Sequence, residues 1–415
     1  MQGPRVAAGL VAAAALMFGL SARPGAFHSG GTGDCAGCHS MHSAHASGSV
    51  LLKQSDASSV CLTCHQGASD AGPTGHHVST PESSMPAGVA PLQRTPGGDF
   101  GWLKKAYAYS AEGAPVVEDG SSHGHNIVAA DFGYAADPTR TVSPGGAYPV
   151  TELACTSCHD PHGRYRRLAN GVVAKSGGAI IASGSYSTSP IPSSGQAVGV
   201  YRLLAGEGYT RAGSTFTGAP AAVAPATYNR TEASTQTRIA YGRGDAKGHE
   251  TWTRWCATCH TQMVAQGHTA DVALETSMLS AYAAYRKSGD LTGTFATSYS
   301  SLVPFEQNTQ AVPLLAARAR NDDSALQGPE SGDRVGCLTC HRAHASGWEY
   351  GMRWNEKAAF LTWDGAWPGS DTTPAHPEYA RGRTAAETRA AYYDRPVGSF
   401  ATYQRTLCNK CHTRD

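Results

Sequence analysis

The stretch Cys155-Thr-Ser-Cys158-His159-Asp-Pro-His162 decides how this chain is read. Two thiols three positions apart, followed at once by an imidazole, match the chemistry of c-type haem attachment. The thiols add to the two vinyl groups on one edge of the porphyrin, and the histidine then reaches the iron from one face. The pattern recurs as Cys35-Ala-Gly-Cys38-His39, Cys61-Leu-Thr-Cys64-His65, Cys256-Ala-Thr-Cys259-His260, Cys337-Leu-Thr-Cys340-His341 and Cys408-Asn-Lys-Cys411-His412. All 12 Cys fall in these motifs and none is left over. Disulfides are the ordinary use of Cys in an exported chain, but six adjacent pairs each trailed by His are not a disulfide framework. Zinc sites need paired C-x-x-C units at short separations, and the separations here are irregular. A thioredoxin-like redox motif needs a βαβ context, which is missing. The expected cofactors are six covalently bound haem c groups.

Composition points the same way. The 415 residues include 48 Gly and 23 Pro, with 40% hydrophobic and 16% charged residues, the last two below globular averages. Such a chain is poor in helix formers and rich in turn formers. A covalent haem is a large flat apolar body that packs like several side chains, so the core can be largely cofactor. The expected fold is mostly irregular and loop-rich, with short helices and few strands: a multihaem cytochrome c with a haem-stack core. Apolar periodicity predicts helices over 271–288, 354–363 and 384–394. The net charge of +1 and the absence of any long basic run argue against nucleic acid as a partner.

Residues 1–26 read as a signal peptide: Arg5 precedes an uncharged Ala- and Leu-rich stretch, Val6 to Leu20, that is too short to span a bilayer comfortably. Cleavage is placed after Ala26. Nothing marks a boundary in 27–415, which reads as one hexahaem unit, secreted and working outside the cytoplasm.

The motifs use six of the 18 His, leaving 12 as candidates for the far face of each iron. Methionine can also ligate haem, but with so many histidines bis-His ligation of all six is favoured, which implies low potentials. Three motifs extend to C-x-x-C-H-x-x-H, giving His42, His162 and His344. The porphyrin bars such a second histidine from the far face of its own iron, so if it ligates it serves a neighbouring haem; the alternative is a surface or propionate-bonded histidine. If each serves the haem two places earlier, His162 ligates the first and His344 the third. His42 has no earlier haem in its own chain and would reach the fifth haem, bound by His341, of another subunit. His77, His125, His268 and His28 are the remaining candidates, seven for six positions. His45, His76, His123, His249 and His376 read as solvent-exposed.

Longer segments carry a resemblance. FHSGGTGDCAGCHSMH (27–42), DAGPTGHHVSTPESSMPAGVAPLQRTPGGDFGW (70–102), GHNIVAADFGY (124–134), CTSCHDPHGRYRR (155–167), VAPATYNRTEASTQTRIAYG (223–242), KSGDLTGT (287–294), CLTCHRAHASG (337–347) and YQRTLCNKCH (403–412) are similar to the OmcS-type hexahaem outer-surface cytochromes of metal-reducing bacteria. The likeness departs around 245–275 and 363–383. It implies bis-His haems in one continuous stack along a conductive filament, with His42 ligating a haem of the adjacent subunit. The functional expectation is therefore extracellular electron transfer as a filament protomer. The chain would take electrons from periplasmic or outer-membrane donor cytochromes and pass them to external acceptors such as metal oxides. A monomeric carrier or surface metal reductase is the alternative. A multihaem oxyanion reductase would need an open iron, and no C-x-x-C-K motif is present to supply one.

Overall fold

The computed structural model describes residues 35–40, 51–69, 75–226, 236–244, 251–265, 271–285 and 293–412. The signal peptide and His28, His42, His45, His249 and His268 lie outside them.

Short elements joined by long irregular connections make up the chain. Among the described residues the longest helices, Ala57–His65 and Thr276–Ala284, have nine residues each. No described helix is long and apolar enough to cross a membrane. The motifs sit on helical turns that local chemistry starts. Asp56 accepts the Ser59 N–H at 2.8 Å ahead of Ala57–His65, and Thr251 accepts the Arg254 N–H at 3.1 Å ahead of Trp252–Ala257. These are N-caps that satisfy otherwise orphaned donors. The one-turn helices Cys155–Cys158 and Cys337–Cys340 are braced from inside. The Ser157 hydroxyl accepts the Ala154 N–H at 3.0 Å, and the Thr339 hydroxyl accepts the Gly336 N–H at 3.1 Å. A hydroxyl between the two cysteines thus helps hold the thiols on one turn.

Among the described residues two small sheets and two hairpins stiffen the long gaps. In the first sheet the strands run Val272–Ala273, Arg334–Val335, Glu306–Gln307, Ala240–Gly242, Ala222–Val223, with only Glu306–Gln307 and Ala240–Gly242 parallel. The second runs Val173–Ala174, Arg166–Leu168, Gln196–Gly199, Ala179–Ile180. Tyr107–Ala111 pairs with Ala114–Glu118, and Thr210–Arg211 with Ser214–Thr215.

Aromatic side chains gather around the motif cysteines. Trp102, Trp348, Trp354, Tyr282 and Tyr392 belong to a buried cluster against which Cys340, Cys408 and Cys411 pack. Tyr165, Tyr201, Trp252 and Trp255 belong to another, beside Cys158 and Cys256. Leu62, Phe100, Ile127 and Tyr134 lie beside Cys155. The apolar core is therefore divided among the motifs rather than pooled in one place.

Helix boundaries depart from the periodicity. Among the described residues the 271–288 pattern yields the helix Thr276–Ala284, which starts late because Val272–Ala273 pairs with Arg334–Val335 as a strand. The 354–363 pattern gives no helix at all. Leu361 N–H donates to Gln404 O at 2.7 Å and Thr406 N–H to Ala359 O at 3.0 Å, so the segment is drawn out along residues 401–406. Trp354 and Leu361 are still buried; tertiary pairing overrides a weak helical preference. The 384–394 pattern gives Ala385–Ala391, closed by a reciprocal Thr384–Glu387 cap.

Charged groups are also buried. Glu118 is 3% exposed, its carboxylate held by Arg383 and, at 3.1 Å, by Arg381. His123 joins them at 2.8 Å. His123 is completely buried rather than solvent-exposed, because its ring bridges the Trp102 carbonyl at 2.8 Å and Glu118. His376 is likewise only 17% exposed at its side chain, packed on Trp363 at 4.7 Å, whereas His76 is exposed.

Candidate haem-binding sites

Among the described residues three pairs of imidazoles face one another across about 6 Å. His39 and His162 stand with ring centroids 6.5 Å apart and planes 6° from parallel. His159 and His344 are 6.3 Å apart, and His125 and His260 are 6.0 Å apart. Metal–imidazole bonds of about 2 Å on both sides of one ion place ring centroids about 6 Å apart. The spacing suits an iron held between each pair, and two imidazoles leave the equatorial positions to a macrocycle.

A second regularity fixes which nitrogen is offered. The Nδ1 atoms of His65, His159, His260 and His341 lie 2.7–2.8 Å from the carbonyl oxygens of His76, Arg202, Pro144 and Tyr350. Those of His125 and His344 lie 2.7 and 3.3 Å from the Ala343 and Gly98 oxygens. A carbonyl can only accept, so each Nδ1 carries the proton and each Nε2 keeps its lone pair for a metal. His123 breaks the rule, since both its nitrogens face acceptors.

Electrostatics favours the neutral ring, which is the ligating form. Burial, then the nearby His159, pushes His344 down to about 3. Burial, then His260, pushes His125 down to about 4. Burial also lowers His341.

One knot of backbone positions several of these rings. Gly98 and Gly124 both bridge to Ala345. His344 N–H donates to Gly97 O at 2.7 Å, and His125 N–H donates to His344 O at 2.8 Å. The crossing is tight: a Cβ on Gly98, whose φ is +94°, would lie 1.8 Å from the Ala345 oxygen. Only glycine combines that φ with that approach. The Phe100 ring then stacks on His344 at 4.6 Å. Residues 97–100, 124–125 and 341–345 thereby aim His125, His341 and His344 from a single junction.

The cysteines lie in a chain that follows sequence order. Cys38 lies near Cys64, Cys158 near Cys259 and Cys340 near Cys411. Between these, Cys61 lies beside Cys155, and Cys256 beside Cys337. The closer contacts share one device: Cys155 N–H donates to the Ser58 hydroxyl at 3.1 Å and Cys337 N–H to the Thr253 hydroxyl at 3.3 Å. Ser58 and Thr253 each stand three residues before the preceding motif. Motif one thus adjoins two, two adjoins three, and so on to six. All 12 cysteines are unpaired by disulfides, so each is available for a thioether.

The remaining candidates are less complete. His76 is edge-on to His65 at 5.7 Å, and its carbonyl occupies the Nδ1 side of that ring. His77 packs on Gly67, where a Cβ would lie 2.2 Å from its ring. Among the described residues no second imidazole stands opposite His341. The carbonyls that hold each Nδ1 had no sequence signal, because any residue type supplies one.

Attachment turns, paired imidazoles and haem-sized spacings in a loop-rich chain define a multihaem c-type cytochrome, an electron-transfer protein with covalently bound haem c. No protein-family model matches the chain. The C-type cytochrome OmcS of Geobacter sulfurreducens is 45% identical over 440 aligned residues, covering 100% of both chains. At that identity and coverage, this chain belongs to the OmcS family of c-type cytochromes. The solved OmcS nanowires and the Outer Membrane Cytochrome S filament from Geobacter sulfurreducens superpose with TM-scores of 0.83 and 0.82. Each match covers 94% of this chain and 100% of theirs, at 45% identity.

Proposed function

We propose that this chain holds six haem c groups in a linear relay and polymerises into an extracellular filament that carries respiratory electrons outward. The observation that carries the reading is the order of the cysteine neighbours from motif one to motif six, together with the facing of His39 with His162 and of His159 with His344. Within the relay His39 and His162 serve the first haem, His65 and His77 the second, His159 and His344 the third, and His260 and His125 the fourth. His341 serves the fifth and His412 the sixth, with His268 or His28 opposite His412. Bound haem c supplies a one-electron iron couple. The protein's own part is to fix each imidazole through its Nδ1 carbonyl, to surround the groups with aromatic side chains, and to hold neighbours close.

His162 and His344 each face the imidazole of the motif two places earlier. By the same offset His42 belongs to the fifth haem of a neighbouring copy. Coordination across a head-to-tail contact that does not close produces an open filament and makes ligation and assembly one event. The donors would be periplasmic or outer-membrane cytochromes, reached after export on the signal peptide at 1–26. The acceptors would be external, metal oxides among them.

The test is electron microscopy of material sheared from producing cells. Wild-type protein should give filaments, and His42→Ala should give discrete particles with one high-spin haem per chain. Filaments of His42→Ala with every iron six-coordinate would overturn the interface assignment. Discrete wild-type particles would favour the monomeric carrier.

A further inference from the structure

Glu306 is 2% exposed, on the strand Glu306–Gln307 between Ala240–Gly242 and Arg334–Val335. Neither carboxylate oxygen has a hydrogen-bond partner of ordinary geometry. Its Oε1 lies where a Cβ on Gly336 would stand, 1.9 Å from that position, with the Thr253 hydroxyl 3.2 Å away from it. Gly336 directly precedes Cys337, whose backbone N–H donates to the Thr253 hydroxyl at 3.3 Å, three residues before Cys256. A buried carboxylate is thus wedged where the attachment turns of the fourth and fifth motifs meet.

Its charged neighbours are engaged elsewhere. Arg243 donates to Asn308 Oδ1 at 2.7 Å and Gly332 O at 3.1 Å. Arg334, the strand partner of Glu306, pairs with Asp271 at 3.4 Å. Asp333 accepts the Asn308 and Glu330 N–H groups at 2.8 Å. Burial, then the Asp271 charge, pushes Glu306 up to about 8, outweighing the Trp252 N–H and Arg243. Thioether formation removes the Cys337 charge and leaves burial and Asp271 in place.

We infer that Glu306 is a proton acceptor coupled to electron arrival at the junction of the fourth and fifth haems. When a bound haem here took up an electron from its neighbour, one proton from solvent would convert the Glu306 carboxylate to the acid, and loss of the electron would release the proton. The charge added by the electron is cancelled beside it, so a buried site of low dielectric need not hold a net change.

This rests on Cys256 and Cys337 being haem attachment points, which a pyridine haemochrome count checks independently. The experiment is a spectroelectrochemical titration of the loaded protein between pH 6 and pH 9. Wild type should contain a component whose potential falls as pH rises, approaching the tenfold-per-unit limit of 59 mV for a one-electron couple. In Glu306→Gln that component should become pH-independent while the haem count is unchanged. A slope that survives in Glu306→Gln overturns the inference. If that variant fails to load, electrochemically induced infrared difference spectra of wild type with isotope-labelled glutamate decide instead. A label-sensitive carboxylic-acid band should appear on reduction, and its absence overturns the proposal.

Discussion

Replacing His344 by Ala should convert one low-spin haem to high spin and raise its potential, while the other irons keep their spectra. The His344 ring faces His159 at 6.3 Å, is stacked on Phe100 at 4.6 Å, and sits within a knot where Gly97 and Gly98 leave no slack. No other described ring is placed to take over its role. Axial ligands set haem potentials over a range of about 0.8 V, so a shift on the order of 0.1 V is expected. The empty space beside Phe100 should also cost about 2–4 kcal/mol, as other large-to-small changes in packed sites do. His162→Ala should likewise convert the first haem to high spin, since its ring faces His39 at 6.5 Å. Low-temperature electron paramagnetic resonance reads the spin states, and denaturant midpoints read the stabilities. Added imidazole should restore the low-spin signal in both variants. A His344→Ala protein whose irons all remain low-spin would remove His344 from the ligand set.

The haem c attachment and the loop-rich fold were legible because the relevant signals are covalent and local. A C-x-x-C-H motif needs only five adjacent residues, and a Gly- and Pro-rich chain announces its turns. The offset rule drawn from the C-x-x-C-H-x-x-H runs coincides with the observed facing of His39 with His162 and of His159 with His344, since a planar macrocycle excludes the nearer iron in every copy. Longer-range contacts were not legible. The pairing of His125 with His260 depends on a backbone knot among three remote segments, and no residue pattern encodes the Ala343 carbonyl as its anchor. His123 was misread for a related reason. Its neighbours Ser121, Ser122 and Gly124 suggest a surface turn, yet Glu118 and Arg383, the latter 260 residues away, bury it. The 354–363 segment failed similarly: its apolar spacing fits a helix, but its backbone groups found partners in 401–406.

That buried charge cluster should govern acid stability. Burial opposes ionisation of Glu118, but the His123 hydrogen bond and the Arg383 charge outweigh it and hold the carboxyl at about 2, against an ordinary value of 4.5. The folded value is depressed, so the contribution is complete above the ordinary value and is lost as pH falls from there toward 2. At 1.36 kcal/mol per unit this amounts to about 3 kcal/mol. Glu118→Gln keeps the shape and removes the charge, leaving Arg383, which is 0% exposed, and Arg381, 8% exposed, without their shared counter-ion. Arg381 retains Glu349, whereas Arg383 has no second carboxylate among the described residues. An uncompensated buried cation costs about 3–5 kcal/mol, so Glu118→Gln should lower the guanidinium midpoint of the haem-loaded protein markedly at pH 7. The gap between variant and wild type should narrow steadily as pH falls below the ordinary carboxylate range, because the wild-type group then becomes neutral too. Arg383→Met is expected to be milder, since Glu118 keeps Arg381 and His123 and a thioether chain packs well beside Trp348 and Tyr107. Tryptophan fluorescence during unfolding follows each of these, because Trp102 and Trp348 border the cluster. Equal midpoints for Glu118→Gln and wild type at pH 7 would mean that the arginines find water or other partners, and that the cluster sets local geometry rather than stability.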